Sequence, residues 1–220
     1  MSAFASVNET PVLSGSIVLP RSGAWTAWLT LDTDTPPTGA VTLTTDGGAV
    51  TYRGTVARSG ETYGRVDVLL VGGAGRLPVT LAPKRYLSVS ARLVWADILT
   101  DAGEVSSAAS DASLLSRQLV GWTRTRAAAG TAMQVLADAI GGVWRIGLDG
   151  AVRIESDGAT VTTKRGSDER LALCPADASA VYALAALDLE PGQTLDGRRV
   201  SRLVHEIAAE SIRSKVWFDG

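Results

Sequence analysis

One cysteine and one histidine stand among 220 residues, and each scarcity removes a class of chemistry. Cys174 alone cannot close an intrachain disulfide, so packing or association with other chains must hold the fold. A lone imidazole, His205, cannot supply the two-histidine grip of a zinc hydrolase. In "HEIAAE" the second position is taken by Ala209. The plainer expectation for His205 is a strand residue whose ring is partly exposed or bonded to a neighbour. No apolar run approaches the roughly 20 residues that cross a bilayer, and "MSAFASVNETPVLSG" has neither the basic nor the apolar region of a signal peptide. We therefore expect no membrane segment. Neither charge sign dominates, with a formal net charge of -2. Basic residues are scattered apart from short pairs such as Arg198-Arg199, so nothing in the composition concentrates a basic face for nucleic acid or anionic lipid.

What is present is β-sequence. From Pro11 to about Leu87 run "SGSIVLP", "AWTAWLTLDT", "GAVTLTT", "AVTYRGTVAR", "GRVDVLLV" and "LPVTLAP", alternating at period two and punctuated by Gly, Pro and Asp. Such a succession predicts an antiparallel barrel or sandwich. The period then changes. Ala91, Val94, Trp95, Ile98 and Ala102 form one helical stripe, with Ser88 or Ser90 to cap its start and Gly103 its end. After a small-residue linker, "SSAASDAS", the same spacing returns in Ala129, Ala132, Met133, Leu136 and Ile140, ending at Gly141-Gly142. Next, "VWRIGLDGAVRIES" is two alternating runs around Asp-Gly, a hairpin signal. The remaining "ATVTTKRG", "SAVYALAALDLEPGQTLDGRRVSRLVHEI" and "SIRSKVWF" read as strands, with a short helix as the alternative for "SAVYALAALDL". The expected fold is thus mainly β with a small helical insert, an α+β arrangement. Its divisions are an N-terminal β-barrel or sandwich domain over 1–87, a two-helix segment over 88–141, and a C-terminal hairpin with a β-barrel-like region over 142–220.

Each chemical motif fails on a named residue. "DVLLVGGAGRLPVTL" begins like a dinucleotide-binding turn, but Pro78 stands where the third glycine belongs and Pro83 would break any helix starting there. Gly72 to Gly75 are expected to make a turn or bulge. Asp32 and Asp34 hint at calcium, yet Pro37 and Leu43 occupy the EF-hand positions for Gly and Glu. No Gly-x-Ser-x-Gly elbow marks a serine nucleophile. We therefore assign no catalytic, cofactor-binding or metal-binding residue, and expect no cofactor. Six tryptophans remain, Trp95 on the first helical stripe among them. Trp25 and Trp28 have opposite strand parity and cannot face the same side, so one of the two is the candidate for an interface.

Several residues stand at particular steps of this order. Tyr52-Arg53-Gly54-Thr55-Val56 is an aromatic-x-Gly-x-Val step at a strand end. Ser88, Leu93, Ile98, Leu99 and Gly103 space the first helix. Gly130 to Ala132, Leu136, Ala137 and Gly141 space the second, leading to Trp144, Arg145, Asp149 and Gly150 in the hairpin. "LEPGQTLDGRRVSRLVHEI" follows with Pro-Gly and Asp-Gly turns before Val-x-x-x-Val-x-His. Over about residues 10 to 215, this series resembles the central hub proteins of phage tail baseplates, the late-control type of contractile-tailed phages and related injection machines.

The resemblance implies a non-enzymatic virion protein made in the bacterial cytoplasm. It implies a homotrimer whose β-barrel domains form a pseudo-sixfold ring between tail tube and trimeric spike, with DNA as passing cargo. Two departures are plain: the chain is short, with one modest β region after the hairpin, and it carries no recognisable fused lysozyme or peptidase. The first leaves open whether a second chain completes the ring. Two rivals are a carbohydrate-binding β-sandwich of a tail tip, using tryptophan platforms, and a small hydrolase built from dispersed carboxylates.

Overall fold

The computed structural model describes residues 4–45, 48–157, 161–162, 172–173, 180–184, 189–195, 197–208 and 211–219. Its first third is a barrel of six antiparallel strands: β1 (Ala5–Val7), β2 (Thr10–Pro20), β3 (Thr26–Leu31), β4 (Ala40–Thr45), β5 (Val50–Thr62) and β6 (Arg65–Gly72). Alternation explains why these segments close on one another. Ala27, Leu29 and Leu31 of β3 and Val66, Val68 and Leu70 of β6 point into the core, while their sequence neighbours face outward. The strands follow the order β1-β4-β5-β6-β3-β2, and β1 also pairs with β2, so the sheet returns on itself. Closure leaves these strands few free edges.

The middle third lies against this barrel. It comprises β7 (Thr80–Leu81), β8 (Lys84–Ser90), α1 (Ala91–Ala102), α2 (Ala112–Leu115), β9 (Gln118–Arg124), β10 (Ala127–Ala128), α3 (Ala129–Ala139), β11 (Gly142–Ile146) and β12 (Val152–Ser156). Ser90, not Ser88, caps α1, its hydroxyl accepting from Leu93 N–H at 3.4 Å. Gly103 ends the helix in the left-handed region, φ 81. All five residues of the expected stripe are buried, and so are their counterparts on the second helical segment. The helices α1 and α3 pack on each other, and α3 on β11.

Three elements here differ from expectation. The "SSAASDAS" linker runs into a short helix, α2, which Asp111 caps through Ser113 and Leu114 N–H. The chain then forms β9, which pairs with β8 as a two-stranded ribbon. The expected strand in "LPVTLAP" shrinks to Thr80–Leu81, because Pro78 and Pro83 remove ladder donors on either side.

The last third comprises β13 (Val161–Thr162), β14 (Ala172–Leu173), β15 (Ala180–Leu184), β16 (Gln193–Leu195), β17 (Arg198–Ala208) and β18 (Ser211–Phe218). Residues 180–184 are strand, so the helical alternative for "SAVYALAALDL" fails where the chain is described. Most of "ATVTTKRG" lies outside the described residues. The seam between the chain's ends is β2. Thr10 and Pro11 pair with β1, whereas Gly15 to Pro20 pair with Ile207 to Arg202 of β17. One sheet therefore runs from the barrel through β2 into β17, β18, β15 and β14.

Candidate assembly surfaces

The glycine turn shows how this molecule consumes its own polar groups. Gly73 and Gly75 have φ of 75° and 72°, a backbone that only glycine adopts without strain. The turn aims Ala74 and Arg76 N–H at the carboxylate of Glu104, at 3.0 and 2.7 Å. Glu104 is buried, just after the end of α1. An internal carboxylate thus sits where a phosphate would sit in a nucleotide-binding loop.

Trp25 and Trp28 separate as their parity requires. The indole of Trp25 is buried, meets Tyr52 edge-on at 5.5 Å, and donates its Nε1–H to the Gly147 carbonyl at 3.3 Å. Gly72 lies so close that a Cβ there would stand 2.6 Å from that nitrogen. Burial pushes the Tyr52 hydroxyl pKa up, with the Glu190 charge adding to it. Trp25 is therefore removed as an interface candidate by its place in the chain's own core. Trp28 is 56% exposed on the outer barrel face, between Ser16 of β2 and Leu69 of β6.

His205 takes the second of its two expected forms, a strand residue bonded to a neighbour. Its ring is fully buried, and its Nδ1 is 2.8 Å from Ser214 Oγ across the β17–β18 ladder. Burial pushes its pKa down from 6.5 to about 4, so the ring is neutral at pH 7. The Nε2 atom is buried without a hydrogen-bond partner. Among the described residues no carboxylate bonds to this ring, and burial keeps substrate away from Ser214. Asp32 and Asp34 lie exposed after β3, and the described residues contain no metal-sized cluster of acidic, His or Cys groups.

The richest charge cluster surrounds a cavity of about 400 Å³ lined in part by Arg145, Arg153, Glu155 and Glu190. Arg145 stands 3.0 Å from both Glu155 and Glu190 and donates to the Pro191 carbonyl at 2.6 Å. Arg153 meets Glu155 at 2.9 Å and also pairs with Glu190. Arg21 and Arg199 share Asp157, at 3.2 and 3.0 Å. Burial, helped by the adjacent Arg153, lowers the Arg145 pKa, against the opposing pull of Glu155 and Glu190. Glu155, Glu190 and Asp157 each face at least two guanidinium groups. That arrangement suits a clamp, tying the β11–β12 hairpin to the segment before β16, to β2 and to β17.

Among the open strand edges of the described residues, two stand out. The barrel strand β5 pairs with β4 only from Val50 to Thr55, although β6 accompanies it to Thr62. Residues 57–65 are exposed, and Tyr63 at the hairpin tip is fully so, with a relative exposure of 101%. The β8–β9 ribbon is the other. One of its faces is fixed to α1: Tyr86 hydroxyl and Lys84 hold Asp97, and Arg124 holds Asp101 at 2.6 Å. The outer part carries Leu87 and Val120, which are 61% and 86% exposed.

No family model matches this chain, and no curated protein matches it in sequence. Solved structures do match its fold. The 43 kDa tail protein of prophage MuSo2 from Shewanella oneidensis aligns with a TM-score of 0.67 at 9% identity, covering 99% of this chain and 96% of that one. A tail protein from Neisseria meningitidis MC58 gives 0.64 at 10%, covering 100% and 97%. The E. coli c3393 protein gives 0.66 at 11%, covering 98% of this chain and 77% of that one. It is a component of the type VI secretion system with structural similarity to the T4 bacteriophage tail proteins gp27 and gp5. At this level of identity the shared property is the fold: this chain has, over nearly its whole length, the architecture of tail proteins from phages and a related secretion machine.

Proposed function

We propose that the chain is a non-enzymatic structural component of a phage-type tail, assembling as a homotrimeric hub ring that joins the tail tube to a spike and lets DNA pass. The observation that carries this reading is the match of fold to phage-type tail proteins across nearly the whole of both chains. The local chemistry supports it. The glycine turn is filled by Glu104, His205 is buried beside Ser214, and the carboxylates of the largest charge cluster are held by arginines. What stays available is strand edge and exposed aromatic surface, which suit protein contacts. Trp28 is the interface residue we propose on the outer barrel face, and the working location is the virion.

Native mass spectrometry of the purified protein tests the reading. The expected species has three times the 22.9 kDa chain mass. A species that stays at one chain mass at tens of micromolar refutes the ring. The tail-tip lectin reading rests on exposed Trp28 alone, and predicts glycan binding that Trp28→Ala abolishes.

A further inference from the structure

We infer that the free half of β5 adds as a strand to the open edge of β9 on the next copy of the chain, so that each copy gives one edge and receives another. The inference rests on the ring reading and supplies its contact.

The geometry of the β5–β6 turn identifies the open groups. Tyr63 and Gly64 have φ of 52° and 74°, the signature of a two-residue turn whose flanking pair, Thr62 and Arg65, exchanges both hydrogen bonds. Alternation along the ladder then directs Gly60 and Arg58 at β6 as well, and turns the backbone N–H and C=O of Ser59 and Glu61 outward. The bulge between Val56 and Arg58 resets this parity, and so Val56 N–H still reaches the Gly39 carbonyl at 2.9 Å on the β4 side. Beyond it, among the described residues, no strand pairs with that side of β5.

Of the two ribbon strands, β9 offers the uninterrupted edge. Ser88 in β8 has φ 49, which interrupts an extended template. No residue of β9 has a positive φ, and among the described residues its only strand partner is β8. Exposure matches the two ends. Tyr63 at the tip of the donor and Val120 on the receiver are the two most exposed large apolar side chains among the described residues, so pairing would cover both. The expected area also favours a ring over an isolated pair. A strand of about six residues buries less than the roughly 1,000 Å² of a stable standalone interface, whereas in a closed ring every copy is held at two such contacts. A different pairing, β5 against β5 of a second copy, would set Ser59 opposite Glu61 and give a closed dimer instead.

Mixed cross-linking decides. In a Cys174→Ser background, Ser59→Cys and Gly121→Cys proteins are prepared separately and treated with a short bismaleimide, alone and mixed. The expected result is a cross-linked pair in the mixture only. Cross-linking of Ser59→Cys with itself overturns the inference in favour of the closed dimer. Oligomers of unchanged mass without a cross-link in the mixture overturn it while leaving the ring reading intact, and single chains in the unmodified protein together with no cross-link in the mixture overturn the two together. Ser59→Pro provides the second readout. It removes an N–H that points away from β6, where an edge strand tolerates proline, so circular dichroism should stay unchanged while self-association weakens about tenfold. Unchanged association overturns the inference.

Discussion

The barrel and the β8–β9 ribbon are both antiparallel β-structure, yet they handle their edges in opposite ways. In the barrel β1 pairs on both sides, with β2 and with β4, and the inward faces of all six strands join one buried core. In the ribbon one face is pinned to α1 through Asp97 and Asp101, while Leu87 and Val120 stay in solvent. A two-stranded ribbon has little stability of its own, so this one depends on α1 beneath it. The lesson is that edge strands are closed where the chain must hold itself together, and left open beside the stretches that have least of their own core.

That contrast can be broken most severely from its closed side. Trp25→Ala removes the side chain that Tyr52, Gly54 and Gly72 enclose, and should cost about 3–5 kcal/mol in chemical denaturation. A loss below about 1 kcal/mol would mean that the barrel does not depend on this contact.

Acid should attack the seam next. The folded-state pKa of His205 lies at about 4, below its ordinary 6.5, so the native state binds fewer protons than the unfolded chain between these values. Its contribution is fully present above pH 6.5 and is lost as pH falls toward 4, by about 3 kcal/mol in all. Denaturation midpoints across that window, compared with His205→Gln, check it. A variant with the wild-type pH slope would deny His205 this role.

Smaller effects sharpen the comparison. Glu104→Gln weakens the charge-assisted bonds to Ala74 and Arg76 N–H and should cost about 1–2 kcal/mol without adding phosphate affinity, as thermal shift with and without inorganic phosphate would show. Trp28→Ala should change chain stability by less than about 0.5 kcal/mol, since the ring is half in solvent. Its effect belongs in self-association, read by sedimentation.

What was legible in the sequence was whatever repeats locally. The period-two runs of β3 and β6, the stripe from Ala91 to Ala102, and the Asp149-Gly150 hairpin were all readable, because each signal lies within one element. The ribbon was not. "QLVGWTR" places Leu119 and Val120 side by side with a glycine after them, and its partner strand lies about 30 residues earlier, so neither periodicity nor a turn marks the pair. The seat of Glu104 on the glycine turn spans 28 and 30 residues, and no spacing rule connects them. Trp25 and Trp28 were half legible: parity separated them, but only the packing of Gly54 and Gly72 against the Trp25 indole decides which one is inside.

Sedimentation velocity on the unmodified chain beside Ser59→Pro, over a hundredfold range of concentration, tests the central claim most directly: that this fold is closed within itself and open at two strand edges for assembly. The account predicts a trimer for the unmodified chain and a shift toward single chains for Ser59→Pro at equal concentration. Single chains throughout the range for both proteins would contradict it.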